Sequence, residues 1–190
     1  MAAPFARPCA TLTHTRAGPV KALRLVCGLA FLWVATSCSA TAFDGSLYRG
    51  EGFAFQIPPI PTEWSRLDAS EAALAFRDEA NHGTVMLHGR CGLDGDDAPL
   101  VSLTQHLFLQ FTEREIRTQE VVPFDGREAM HTVLDAKLDG VAMSYDVWVL
   151  KKDGCVYDLL YLAPSASFAA GRDTFAVLVR GFATVNQSGD

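Results

Sequence analysis

The sequence predicts an α+β fold: an antiparallel sheet of about six strands, ending in a C-terminal meander and covered by helices. Three observations predict it. Asp-Gly pairs recur at Asp125-Gly126, Asp139-Gly140 and Asp153-Gly154, spaced by 14 residues each time, and Asp-Gly favours the positive-φ residues of two-residue hairpin turns. Between and after these pairs lie Arg127–Leu138, Val141–Lys152 and Cys155–Ala163, all of strand character. Two stretches with apolar residues at helical spacing stand apart from the strands, one before the meander and one after it. Helices this separate and turns this tight make a layered antiparallel fold.

The elements follow in order. Gly52-Phe53-Ala54-Phe55-Gln56-Ile57-Pro58 alternates and stops at prolines, which marks a first strand. Trp64 to Arg77 and Gly83 to Cys91 read as the second and third. Leu93 to Pro99 is a turn opening a helix, with Asp97 as N-cap and an end near Arg114. Leu100, Leu103, Leu107 and Phe111 share one face of it, and Glu113, Arg114, Glu115 and Arg117 read as its charged end. Pro164 closes the meander. A last helix follows, capped by Ser165 or Ser167, with Phe168, Phe175, Leu178, Val179 and Phe182 on one face.

The opening strand motif followed by Trp64, the long meander and the closing helix together resemble the PsbP-like fold. This is the α-β-α sandwich of a photosystem II extrinsic subunit and of many bacterial exported proteins. The resemblance runs from about Tyr48 to Thr184 and is architectural. No metal-binding or partner-binding residue of that family matches a position here, so it implies a fold and no activity.

The N-terminus bears on location. Lys21 and Arg24 precede the apolar run Leu25–Ala35, whose eleven residues suit a signal-peptide core and are too few to span a bilayer. Ala35-Thr36-Ser37-Cys38 resembles the bacterial lipobox, in which the cysteine is diacylated and becomes the mature N-terminus; Ala35 stands where Leu is commonest. The resemblance implies a membrane anchor at Cys38, and Ser39 after it implies the outer membrane, on the periplasmic side. Ala40-Thr41-Ala42 offers the alternative, ordinary cleavage releasing a soluble periplasmic domain that begins at Phe43. Either way the domain works outside the cytoplasm. Residues 1–19 are rich in Pro, Thr and Ala and unlike a signal, so translation is expected to start at Val20. The expected organisation is 1–38 extension and signal, 39–47 tether, 48–185 one α+β domain, and 186–190 tail.

Export leaves Cys91 and Cys155 as an even pair in an oxidising compartment, expected as a disulfide; two buried thiols are the alternative. Charge narrows the partners. After Cys38 the chain carries 12 Lys and Arg against 22 Asp and Glu, a net charge of −10, which disfavours nucleic acid.

Two-residue turns would place Trp148 opposite Leu159, Asp146 opposite Tyr161, His131 opposite Trp148 and Val133 opposite Asp146. One sheet face then carries Met130, Leu134, Met143, Tyr145, Val147, Val149, Val156, Leu160 and Leu162, with Asp158 as a charged intruder. The other gathers His131, Asp135, Asp146, Trp148, Tyr157 and Tyr161: a ligand face of rings and polar groups, or the margin of a surface that the last helix covers. His82, His88 and Cys91 make a poor metal set, because His88 and Cys91 point to opposite faces of a strand. Asp94, Asp96 and Asp97 lack the Gly and Glu of a calcium loop. No metal or cofactor is expected, and no complete catalytic constellation is present. The sequence therefore reads as a membrane-tethered envelope module that binds a protein partner without catalysis. The alternative is an exported small-ligand carrier or hydrolase built on His131, Asp146 and Trp148.

Overall fold

In chain order the computed structural model, which describes residues 42–70, 72–92 and 98–186, runs through β1 (Ala42–Phe43), β2 (Leu47–Arg49), β3 (Ala54–Gln56), β4 (Trp64–Leu67), β5 (Leu74–Asp78) and β6 (Gly83–Cys91). Then follow α1 (Leu100–Leu107), β7 (Thr112–Phe124), β8 (Arg127–Leu138), β9 (Val141–Lys152), β10 (Cys155–Ala163), α2 (Ser165–Gly181) and β11 (Ala183–Val185). The expected signal region and its Cys38, the acidic stretch 93–97 with the expected Asp97 cap, and residues 187–190 lie outside the described residues.

The meander forms with the expected register. Asp125, Asp139 and Asp153 have φ of 47°, 51° and 52°, and the glycines after them 74°, 81° and 73°, so both central residues of each turn are left-handed. Two-residue turns leave no slack, and each pairing follows: Trp148 with Leu159, Asp146 with Tyr161, His131 with Trp148, Val133 with Asp146. The large sheet is antiparallel with strand order β4-β5-β6-β10-β9-β8-β7. It has seven strands where about six in all were expected, and four short strands form a second sheet, β1-β2-β3-β11.

Pairing explains each departure from the sequence reading. Trp64 to Arg77 is not one strand but a hairpin, with Trp64 opposite Asp78; the chain reverses over 68–73 without a glycine to announce it. The first strand, β3, belongs to the small sheet. Part of the expected tether is structured, because Ala42 and Phe43 pair with Arg49 and Tyr48. Helix α1 stops at Leu107, and Phe111 turns back with its amide on the Phe108 carbonyl. Thr112 then opens β7, and Glu113 at φ 49° lies in the strand's first register irregularity. Glu113, Arg114, Glu115 and Arg117 are therefore strand residues, held by pairing with β8 across two register irregularities. Neither helix has a side-chain cap. Pro99 and Pro164 occupy the N-cap positions, while Ser165 and Ser167 bond to Ser144 and to the Asn81 carbonyl.

The two sheet faces bury two cores. On one, Leu103 and Phe108 of the α1 segment pack with Met130, Leu134, Tyr145, Val147, Val149 and Val156. On the other, Phe168, Phe175, Leu178 and Val179 of α2 and the rings of Tyr48, Phe53, Phe55 and Phe182 cover Val133, Leu150, Leu159 and Tyr161. The hydrophobic effect sets this order: an amphipathic helix and a one-sided sheet each need an apolar partner. Cys91 and Cys155 stand opposite each other on β6 and β10 and form a disulfide with Cα atoms 4.0 Å apart. No helix among the described residues is long and apolar enough to cross a membrane.

Candidate functional site

Where α2 crosses β9, three side chains converge on one carboxylate. Asp146 Oδ1 lies 3.0 Å from His131 Nε2 and accepts from Trp148 Nε1 at 2.9 Å. Its Oδ2 accepts from Arg172 Nε at 2.5 Å. The Asp146 side chain is 5% exposed and the Arg172 side chain 40%, so the pair sits at the margin of the α2 contact with the cation turned to solvent. His131 lies flat on Trp148, centroids 4.1 Å apart and planes 18° apart. Cross-strand pairing of these two residues on adjacent strands produces the stack. On its outer side His131 Nδ1 is 3.8 Å from Glu120 of β7, and Phe124 lies against Trp148 at 5.3 Å.

Beside this cluster opens a groove of about 240 Å³, lined by Asp146, Trp148, Arg172, Asp173, Ala176, Val179 and Arg180. Its lining comes from α2 on one side and from Asp146 and Trp148 of β9 on the other. Chemically the groove offers an aromatic surface, two guanidinium groups and the Asp173 carboxylate. The Asp146 carboxylate is already engaged by three donors of its own chain, which makes it a poor general base.

The remaining members of the predicted face are elsewhere. Asp135 accepts from Ser144 Oγ at 2.5 Å and Arg117 Nε at 2.6 Å, and Ser144 lies 2.8 Å from Ser165 Oγ at the start of α2. This ties four elements together and does not reach His131. Tyr157 and Tyr161 are core residues rather than ligand contacts. Tyr157 packs edge-on against Phe53 and Phe182; burial, with help from Asp153 and Asp125, pushes its hydroxyl up to about 12. Tyr161 stacks between Phe168 and Phe175 and donates to Asp78 at 3.0 Å. Its ionisation is pushed up by burial and by that carboxylate. The covering helix and small sheet account for both.

Arg172 was not legible beforehand. It falls between Phe168 and Phe175 on α2, beside the apolar stripe, and a lone arginine at that position is the one signal that could have found it. On the opposite sheet face the expected intruder Asp158 is 1% exposed. Arg90 bonds one of its oxygens, the other has no hydrogen-bond partner, and burial raises its pKa against the pull of Arg90. His88 stands directly across from it, its own pKa lowered by burial. The disulfide removes Cys91 from any metal set, and no group of three or more potential ligands exists among the described residues.

No protein-family model matches the chain, and no curated protein matches it in sequence. Among solved structures it is similar to cyanobacterial PsbP (CyanoP) from Synechocystis, with 13% identity, 80% of this chain and 99% of that one covered, and a TM-score of 0.53. It is also similar to LpqN, a protein involved in cell envelope biogenesis of Mycobacterium tuberculosis, with 15% identity, coverage of 72% and 87%, and a TM-score of 0.51. A protein of Bacteroides thetaiotaomicron matches at 12% identity over 77% of this chain with a TM-score of 0.52; the chain spans 51% of that protein's length. At these identities the likeness is one of fold, and it agrees with the PsbP-like resemblance read from the sequence.

Proposed function

We propose that the chain is an exported module of the cell envelope, tethered through Cys38, that binds a protein partner and performs no catalysis. One observation carries this reading. Asp146, the acid at the centre of the polar cluster, has both oxygens engaged by His131, Trp148 and Arg172. The cluster fastens α2 to the sheet and leaves no free base beside a nucleophile. Two further facts support it. A disulfide suits an oxidising compartment, and one protein of similar fold, LpqN, is described by its role in envelope biogenesis.

Two experiments test the reading. Cys38→Ser should abolish membrane fractionation of the mature protein; maturation and fractionation like wild type would refute the anchor. Pull-down from detergent-solubilised envelope should retain a stoichiometric protein, and recovery of the chain alone would count against the partner.

The groove beside Trp148 favours a second reading, a carrier of a small planar ligand. Binding of such a ligand that is lost in Trp148→Ala, with folding intact, would establish it over the first. A hydrolase is the weaker form of this alternative, because Ser144 bonds to Asp135 and Ser165 and not to His131.

A further inference from the structure

The anchored reading has a geometric consequence that names a surface. Three residues, 39–41, separate Cys38 from Ala42, where β1 begins. A fully extended chain advances at most ~3.6 Å per residue, so the Cys38 and Ala42 Cα atoms are no more than about 14 Å apart. Ala42 and Phe43 are not free to lengthen this leash, because both are paired in the small sheet with Arg49 and Tyr48.

The small sheet has a definite direction across the large one. Its β11 end is tied to the β7–β8 turn, where the Thr184 amide and hydroxyl donate to Asp125 Oδ2 at 2.9 and 2.8 Å. Its β1 end meets β4, where the Arg66 guanidinium carbon lies 5.4 Å from the ring centroids of both Phe43 and Phe76. The strand order puts β4 and β7 at opposite edges of the large sheet, which six strand spacings hold about 29 Å apart.

We propose that the corner where β1 meets β4 is the surface on which the domain rests against phospholipid headgroups. The proposal rests on lipidation at Cys38. Phe43, Arg49 and Arg66 are its contacts: an aromatic ring suited to the membrane–water boundary, flanked by two exposed guanidinium groups suited to phosphate. Arg49 is the cross-strand partner of Ala42 and Arg66 sits over Phe43, so both cations border the entry strand of a domain whose net charge is −10. Asp44, the carboxylate next to Phe43, turns into its own loop and accepts from the Ser46 and Leu47 amides; Asp68 borders the corner on the loop after β4. The net negative charge opposes adhesion of the domain as a whole and leaves this corner as the favoured contact. The β7 edge, with Val121 exposed, then points away from the bilayer, where a partner can reach it.

The test uses the mature full chain, reconstituted in phosphatidylethanolamine and phosphatidylglycerol vesicles with brominated acyl chains, which quench nearby indoles. Phe43→Trp should show quenching beyond that of wild type, and Val121→Trp should show none. Ser70→Trp, in the exposed loop between β4 and β5, serves as the near probe if Phe43→Trp does not fold. Combining Arg49→Glu and Arg66→Glu should reduce the near-probe signal in these vesicles by at least half. Equal quenching at the near and far probes, in protein that floats with the vesicles and carries a diacylated N-terminus by mass, refutes the orientation alone. Protein that neither floats nor carries the lipid mass refutes the anchored reading and this proposal together.

Discussion

Arg172 of α2 donates its Nε hydrogen to Asp146 Oδ2 of β9 at 2.5 Å, and this pair is a charged clamp between the last helix and the meander. Replacing Arg172 with Ala leaves a nearly buried carboxylate with its two remaining partners, His131 and Trp148. A charged hydrogen bond contributes about 1.5–3 kcal/mol, but solvent screens the 40% exposed cation. Arg172→Ala should therefore cost about 1–2 kcal/mol, with part recovered in Arg172→Lys. A lower urea midpoint at unchanged m is the expected result; an unmoved midpoint would show that this pair contributes nothing to the hold on α2.

Gly171 lies one residue away and allows the closest approach in the core. A Cβ built there would stand 1.6 Å from the Tyr161 hydroxyl and 2.7 Å from Asp78 Oδ2. Gly171→Ala must displace the tyrosine from its buried hydrogen bond or lift the helix. The expected cost exceeds the ~1–3 kcal/mol of ordinary overpacking, read as a large fall in melting temperature. Gly181→Ala, which meets only the Pro58 ring at 2.9 Å, should cost less.

The Cys91–Cys155 bridge closes a 64-residue separation. Replacing both cysteines with Ala should cost about 2–4 kcal/mol by releasing the unfolded chain. Thiol titration of the unfolded, unreduced mature domain should find none free; two would contradict the bridge.

Asp125 supplies a pH dependence whose sign can be worked out. Burial alone would raise its pKa. The Thr184 amide and hydroxyl and the Lys152 ammonium outweigh burial and hold it below its ordinary 3.8. A depressed folded-state value means stability that is present above 3.8 and lost as pH falls through the folded value. Asp125→Asn keeps a residue that tolerates the left-handed turn while removing the charge. It should cost about 1–2 kcal/mol near neutrality, and urea midpoints of variant and parent should converge in acid. A constant gap across pH would mean that the turn, not the charge, had been damaged.

The meander was legible because its information is local. Each Asp-Gly pair specifies a two-residue turn, a two-residue turn specifies a register, and the register assigns every side chain of β8, β9 and β10 to a face. What escaped was information held by distant pairing. Periodicity does not detect strands of two or three residues such as β1, β2 and β11. The hairpin of β4 and β5 turns over an alanine-rich loop, and the helical spacing of Leu100, Leu103 and Leu107 runs on by chance to Phe111 past the true end of α1. The candidate site divides in the same way. His131, Asp146 and Trp148 meet because β8 and β9 are neighbours in sequence. Arg172 joins them from a helix, and the cover over Tyr157 and Tyr161 comes from elements that the meander does not encode.

The small sheet has a bearing on the order of assembly. β3 has a local partner on one side, where Gln56 pairs with Leu47 of β2, and a distant one on the other, where it pairs with Ala183 of β11; Phe182 then packs on Phe55 of the aromatic cluster. Contacts of such long range form late and slowly. If the chain is exported N-terminus first, as proposed above, the small sheet stays open until β11 emerges, and that strand is its latch.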